Sequence, residues 1–305
     1  MITAVDVTKT FGETPAVDGL GFTVNKGEIF GIVGPDGSGK STLLRMISSI
    51  LRPDRGSITI DGINVQENPI RIKEKLAYMP QRFGLYEDLT VEENIFFFGR
   101  LFNLSKSEIR GKLDTLYGFS RLGPFKDRLA GKLSGGMKQK LGLVCSLVHT
   151  PDVLLLDEPT NGVDPVSRRE FWDILYELLA QKVTIIVTTA YLDEAERSNR
   201  VALMYRGRFI RLGKPKSIRD EMKEDMIQII VDNSKKAESA LKKEKGLKII
   251  RTGNSIRLLT DSVKKTRRRA ERLLRANRVR IISIEEVSPR LEDSFIQIIN
   301  EEESH

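Results

Sequence analysis

Cysteine and histidine are scarce in this 305-residue chain, which carries one cysteine, Cys145, and two histidines, His149 and His305. A single cysteine excludes an intrachain disulfide and fits a reducing, cytosolic compartment; its pattern is that of a small buried residue on a helix. No apolar run approaches the roughly 18 residues needed to span a membrane, and short runs such as Val153–Leu156 read as buried strands. The first residues lack the basic-then-apolar pattern of a secretory signal. Internal repeats and low-complexity tracts are also lacking.

Apolar residues make up 40% of the chain, enough for a substantial core, and the length fits two domains or one large and one small. The net charge of +8 is uneven. Residues 226–305 hold 18 lysines and arginines against 12 acidic residues, so this segment is strongly basic. Such a segment faces either solvent, an anionic lipid surface or nucleic acid.

Strands and helices alternate in the first part. Ile2–Val7, Gly21–Val24, Glu28–Val33 and Ser57–Ile60 read as strands, with a helix from Lys40 to Leu51 closed by the turn cluster Arg52-Pro53-Asp54-Arg55-Gly56. Residues 86–150 read as helical: Val91–Leu101, Ser107–Leu116 and Gly135–His149. Strand character returns at Val153–Leu156, Thr184–Thr188 and Val201–Tyr205, with a helix at Pro165–Ala180. Alternation of this kind predicts an α/β fold around a parallel sheet, with a helical insert between its halves. A hinge near Gly213–Glu224 leads to a second, small α/β domain. There Met226–Val231, Leu247–Arg251, Ser255–Leu259 and Arg278–Ile284 read as strands, and Lys235–Lys243 and Ser262–Ala276 as helices. A last helix is expected to start with Ser288 as N-cap and Pro289 as its first residue. The predicted boundaries are 1–215 and 225–305, with the helical subdomain at about 86–150.

The segment Gly34-Pro35-Asp36-Gly37-Ser38-Gly39-Lys40-Ser41-Thr42 follows a strand and opens a helix, the context a phosphate-binding loop requires. Its glycines let backbone N–H groups turn onto phosphates, and the helix N-terminus favours anions. Lys40 is expected to hold β- and γ-phosphates, and Ser41 to ligate magnesium. Asp157 closes an apolar strand, so its carboxylate would emerge beside this loop and bind magnesium, directly or through water. Glu158 is then placed to orient or deprotonate an attacking water.

This loop, Leu133-Ser134-Gly135-Gly136-Met137-Lys138-Gln139-Lys140 and Val153–Pro159 occur in the order found in ATP-binding cassette (ABC) ATPases, which residues 1 to about 215 resemble. The resemblance implies a P-loop NTPase core carrying a helical subdomain, with ATP and Mg2+ as ligands. It implies that Gln81, in Tyr78-Met79-Pro80-Gln81, senses magnesium and γ-phosphate and links the site to a membrane permease. Phe11 matches the aromatic that stacks on adenine, with core packing as the rival reading. Asn161-Gly162-Val163-Asp164 matches the loop by which two cassettes touch. Ser134, Gly135 and Gly136 match the segment that completes a site on a second cassette, whether a homodimer, heterodimer or tandem half. Where the family places a γ-phosphate-contacting histidine, this chain has Thr188-Thr189-Ala190-Tyr191, and neither His149, expected at a surface or helix end, nor His305 can substitute. A missing donor of this kind costs about 10²–10³ in rate, so slow hydrolysis at the chain's own site is expected.

Ser288-Pro289-Arg290-Leu291-Glu292-Asp293-Ser294-Phe295 resembles the tail of drug- and polymer-exporter ATPases, and other stretches resemble the first cassette of tandem-cassette exporters. The resemblance therefore implies the ATPase subunit of an exporter, peripheral on the cytoplasmic face of the membrane. Two alternatives stay open: a regulatory ATP-binding half-site partner, and a soluble ABC protein acting on RNA or the ribosome. The 94 positions between Lys40 and Ser134 leave no room for the long coiled coil of chromosome-type members.

Overall fold

Six strands form the main sheet in the order Arg208–Gly213, Arg200–Tyr205, Ile29–Val33, Thr184–Thr189, Val153–Asp157, Leu76–Met79. This computed structural model describes residues 1–221, 225–242, 244, 247–260, 262–288 and 290–302. The five strands from Arg200–Tyr205 to Leu76–Met79 pair in parallel. Every residue of Ile29–Val33, Val153–Asp157 and Thr184–Thr189 is buried, as expected of parallel strands covered on both faces. Their side chains alternate between two cores. Phe30, Ile32, Leu155 and Ile186 pack with Leu43, Leu44 and Met46 of the helix Lys40–Ile47. Ile29, Leu154, Leu156, Ile185 and Val187 pack on the other side with Phe171 and Trp172.

The expectation of one parallel sheet needs correction. Ile2–Phe11, Thr14–Val24, Arg55–Ile60 and Ile63–Asn64 form a separate four-stranded sheet whose pairs are all antiparallel. Only Gly12 and Glu13 connect the first two strands, and so short a link permits antiparallel pairing alone. Arg206 and Gly207, both at positive φ, turn the chain into Arg208–Gly213, which adds an antiparallel edge to the main sheet. The helix Pro69–Lys75 and the four-residue strand Leu76–Met79 escape sequence patterning because each is too short to display a period. The helix from Lys40 stops at Ile47 rather than Leu51, where Ser49 turns to φ 63°.

The helical insert comprises Val91–Leu101, Lys106–Ser120 and Gly135–Leu147. The first two open on reciprocal capping boxes, Thr90 with Glu93 and Ser105 with Glu108. Ser134 caps the third, its Oγ accepting from the Met137 amide at 3.3 Å.

The chain divides into units Met1–Pro215 and Lys216–His305. In the second, four strands lie in the order Lys248–Thr252, Ser255–Thr260, Asp225–Val231, Ile281–Val287, all antiparallel. With helices Ser234–Lys242 and Val263–Ala276 between them in sequence, this is the split βαβ, ferredoxin-like arrangement. Ala237, Leu241, Ala270 and Leu274 of these helices pack with Ile227, Ile229, Ile256 and Leu258. The final strand starts three residues later than expected, because Arg278 at φ 54° and the Val279 amide bonding back to Leu274 O close the preceding helix first. The last helix spans Leu291–Glu302. Pro289, Lys243, Glu224 and His305, to which expectations were attached, lie outside the described residues.

Candidate functional site

The carboxyl ends of the parallel strands carry the site, the usual place for a ligand in an open α/β sheet. Ile29–Val33 leads into the loop 34–39, and helix Lys40–Ile47 starts at its end. Gly39 has φ 108°, and a Cβ there would meet Ala16 O at 2.0 Å, so the turn into the helix admits only glycine. An open cleft of ≈ 370 Å³ is lined by Ala16, by Asp36 through Thr42, by Gln81 and by Glu158. Ser38 Oγ is buried without a hydrogen-bond partner, an orphan donor in a loop whose amides and helix terminus favour an anion.

Lys40 is 4% exposed, and its ammonium donates to Gly34 O at 2.7 Å and Pro35 O at 3.0 Å. It also lies 3.1 Å from Glu158 Oε1. Glu158 therefore neutralises the cation that the motif assigns to phosphates.

Asp157, 2% exposed, is held by three hydroxyls. Ser41 Oγ donates to Oδ1 at 2.9 Å, Thr188 Oγ1 to Oδ1 at 2.9 Å and Tyr78 OH to Oδ2 at 3.1 Å. Parallel register makes this convergence: Thr188 pairs with Asp157 on one side and Ile32 on the other, so its strand bridges the carboxylate and the loop. Burial and the Asp157 charge push the Tyr78 phenol up to about 12, which keeps it a donor. Tyr78 and Thr188 were not singled out from sequence. Thr188 did leave a signal, as the first polar residue after the apolar run Ile185-Ile186-Val187 of its strand.

Glu158 stands at φ 48°, a left-handed conformation rare for a non-glycine and disfavoured before proline. Its amide donates to Thr188 Oγ1 at 3.0 Å, which holds the turn. The carboxylate accepts from Gln81 Nε2 at 3.2 Å and Asn161 Nδ2 at 3.3 Å. Backbone strain concentrated on one residue of a cleft is a mark of a functional position.

Beyond Asp157 and Glu158, a third buried carboxylate ties two loops together. Glu194, 1% exposed, accepts from Thr160 Oγ1 at 2.7 and 2.8 Å and from Thr189 Oγ1 at 2.9 Å, and Arg168 Nε is 3.2 Å away. It connects the start of Asn161–Asp164 to the segment that carries Ala190, which is exposed.

Ser134, Gly135 and Gly136 do not line the cleft. Gly136 packs against the helix Pro165–Ala180, where a Cβ would lie 2.4 Å from Ser167 Cβ, whereas Gly135 faces open space. Phe11 is 53% exposed rather than packed in a core; it is not among the residues that line the cleft, and Lys9 Nζ lies 5.8 Å from its ring centroid. Cys145 is fully buried and its thiol is pushed up by burial, an inert core group. His149, half-buried just past the helix Gly135–Leu147, stacks on Phe102 with ring centroids 3.8 Å apart. Among the described residues no helix is long and apolar enough to cross a membrane, and no cluster of three metal-ligating side chains occurs.

Residues 17–161 match the family model described as ABC transporter. The probable multidrug ABC transporter ATP-binding protein YbhF of Escherichia coli strain K12 is 43% identical over 290 residues, 94% of this chain and 50% of that protein. The chain thus spans about half the length of that relative. The Nod factor export ATP-binding protein I of Paraburkholderia xenovorans strain LB400 is 42% identical over 225 residues, 73% of this chain and 74% of that protein. Among solved structures, an ATP-binding subunit of an ABC transporter superposes with a TM-score of 0.65 at 29% identity, covering 72% of this chain and 92% of its own. The dimeric, post-hydrolysis ATP-binding cassette MJ0796 bound to ADP and Pi does so with 0.63 at 27%, covering 70% and 98%.

Proposed function

The chain belongs to the ABC transporter ATP-binding family, and on that premise we propose that it binds and hydrolyses ATP to drive a separate membrane permease in export. The observation that carries this is that Lys40, Ser41, Gln81 and Glu158 line one cleft, with buried Asp157 hydrogen-bonded behind Ser41. Relatives named for multidrug and Nod factor export support export over import.

Phosphates entering the loop offer Lys40 a stronger counter-charge than one carboxylate. Lys40 then turns from Glu158 to the β- and γ-phosphates, and Glu158 is freed. With Gln81 and Asn161 beside it, Glu158 orients water at the γ-phosphate and accepts its proton. Ser41 Oγ and Asp157 Oδ1, 2.9 Å apart, are the oxygen donors that suit Mg2+. When bound, Mg2+ neutralises developing phosphate charge. Phe11 supplies a π-face to adenine. The N-terminus of the helix Gly135–Leu147, with Ser134 and Gly136, completes a site on a second cassette, and Asn161–Asp164 lies at that interface. The chain then works as a peripheral subunit on the cytoplasmic face.

A second reading, a regulatory half whose Ser134–Gly136 segment serves its partner, is favoured by Ala190, which offers no side-chain donor. One experiment covers both: Mg-ATP binding and phosphate release by the chain and by Ala190→His. Tight binding with slow release that Ala190→His raises supports the asymmetric reading. Normal release unaffected by Ala190→His refutes it, and absence of ATP binding refutes the proposal as a whole.

A further inference from the structure

The charge of the chain is concentrated in one place. Residues 262–280 hold nine lysines and arginines against Glu271 alone, a net +8 equal to that of all 305 residues. Fourteen of these positions form the helix Val263–Ala276. Its apolar stripe is already used: Ala270 and Leu274 are fully buried and pack with Val263 and Leu273 in the core of the second unit. On the opposite side Lys264, Arg268, Arg272 and Arg275 follow one another at spacings of four, four and three residues. These spacings set them in a single row about 16 Å long. All four are exposed, and among the described residues none of them makes an ion pair, whereas Arg267 pairs with Glu271 and Arg269 with Glu244.

This row runs against the rules that stabilise helices. Like charges at such spacings repel one another. Lys264 and Lys265 occupy the first turn, where the helix dipole disfavours cations, and that turn itself holds no acidic residue. Ser262 at the N-cap makes no side-chain capping bond. A local conflict with no compensating ion pair among the described residues marks a surface shaped by something outside the protein.

We propose that this face is a docking surface for anionic phospholipid headgroups. A straight row on a helix laid flat against a sheet presents its cations in one plane, and a membrane leaflet is a plane of phosphates. Because the apolar stripe faces the sheet, the helix adsorbs electrostatically and does not insert. Single-stranded nucleic acid fits less well, since its binding relies on aromatic stacking. The only aromatic beyond residue 215 is Phe295, which is buried. The inference stands whether or not the cassette drives a permease.

The test is flotation of the full chain with vesicles of phosphatidylcholine alone, or with one third phosphatidylglycerol. Each basic residue at an anionic leaflet contributes about fivefold in affinity. The expected result is binding to the anionic vesicles only, weakened by salt, and reduced at least about 100-fold in K264E/R268E/R272E/R275E. ATP binding should be unchanged in this variant, which relieves repulsion and so should melt no lower than the parent. If charge reversal nonetheless unfolds it, K264Q/R268Q/R272Q/R275Q takes its place. R268K/R272K/R275K should keep most of the binding. Equal binding to both vesicles, or binding insensitive to charge reversal, overturns the proposal. So does displacement from vesicles by an RNA oligomer at equal phosphate concentration, which would assign the face to nucleic acid.

Discussion

Tyr78→Phe should weaken magnesium-dependent nucleotide binding while leaving metal-free binding intact. Asp157 is buried and has three hydroxyl donors, from Ser41, Thr188 and Tyr78. If Ser41 turns its oxygen to the metal, as proposed, only Thr188 and Tyr78 remain to hold the carboxylate. Removing the Tyr78 hydroxyl takes one of those two. A hydrogen bond to a charged group contributes about 1.5–3 kcal/mol, which is roughly 10- to 100-fold in an equilibrium constant. Loss of an outer partner of a metal ligand has an effect of the same size. With its phenol pushed up to about 12, Tyr78 remains a donor at both pH 7 and pH 9, so the defect should be equal at the two. The assay is a magnesium titration of ATP affinity and of phosphate release in Tyr78→Phe and Thr188→Val. A magnesium midpoint unchanged in both variants, with thermal stability intact, would refute the assignment of Tyr78 and Thr188 as the groups that orient Asp157.

Gly39→Ala places a methyl 2.0 Å from Ala16 O at a φ of 108°, so nucleotide binding should be abolished; equilibrium dialysis with wild-type affinity would contradict this. Asp293→Ala leaves Arg257, which donates to both Asp293 oxygens at 3.0 and 2.8 Å, as a buried unpaired cation. A loss of about 3–5 kcal/mol is expected, with Arg257→Met/Asp293→Leu recovering most of it. Hydrogen exchange of the Asp225–Val231 amides measures both variants. Burial holds the His149 imidazole below the ordinary 6.5. The unfolded chain therefore takes up the proton first, and stability present above that value falls as pH drops towards the folded one. Urea midpoints between pH 7.5 and 5 should show a slope that His149→Gln reduces.

The predicted tail motif shows how a sequence pattern and its structural role can differ. Leu291, Asp293 and Phe295 are all buried, and Asp293 pairs with Arg257 of the sheet. Their first role is to fasten the last helix within the second unit, which no local pattern states, because Arg257 lies 36 positions away.

The sequence by itself determined the elements whose signals are local. A strand, a glycine loop and Lys40-Ser41 at a helix start carry their chemistry within a dozen residues. Capping residues at Thr90, Ser105 and Ser134 mark helix starts by bonds to amides three positions on. Those contacts form along one stretch of backbone, so the order of residues suffices to name them. Only tertiary structure decided that the first strands close a separate antiparallel sheet, and that Tyr78, Ser41 and Thr188 converge on Asp157 across 79, 116 and 31 positions. The same holds for Glu194, which joins Thr160 and Thr189. Such contacts depend on which strands become neighbours, and that choice follows from burying two apolar faces at once rather than from any local run of residues.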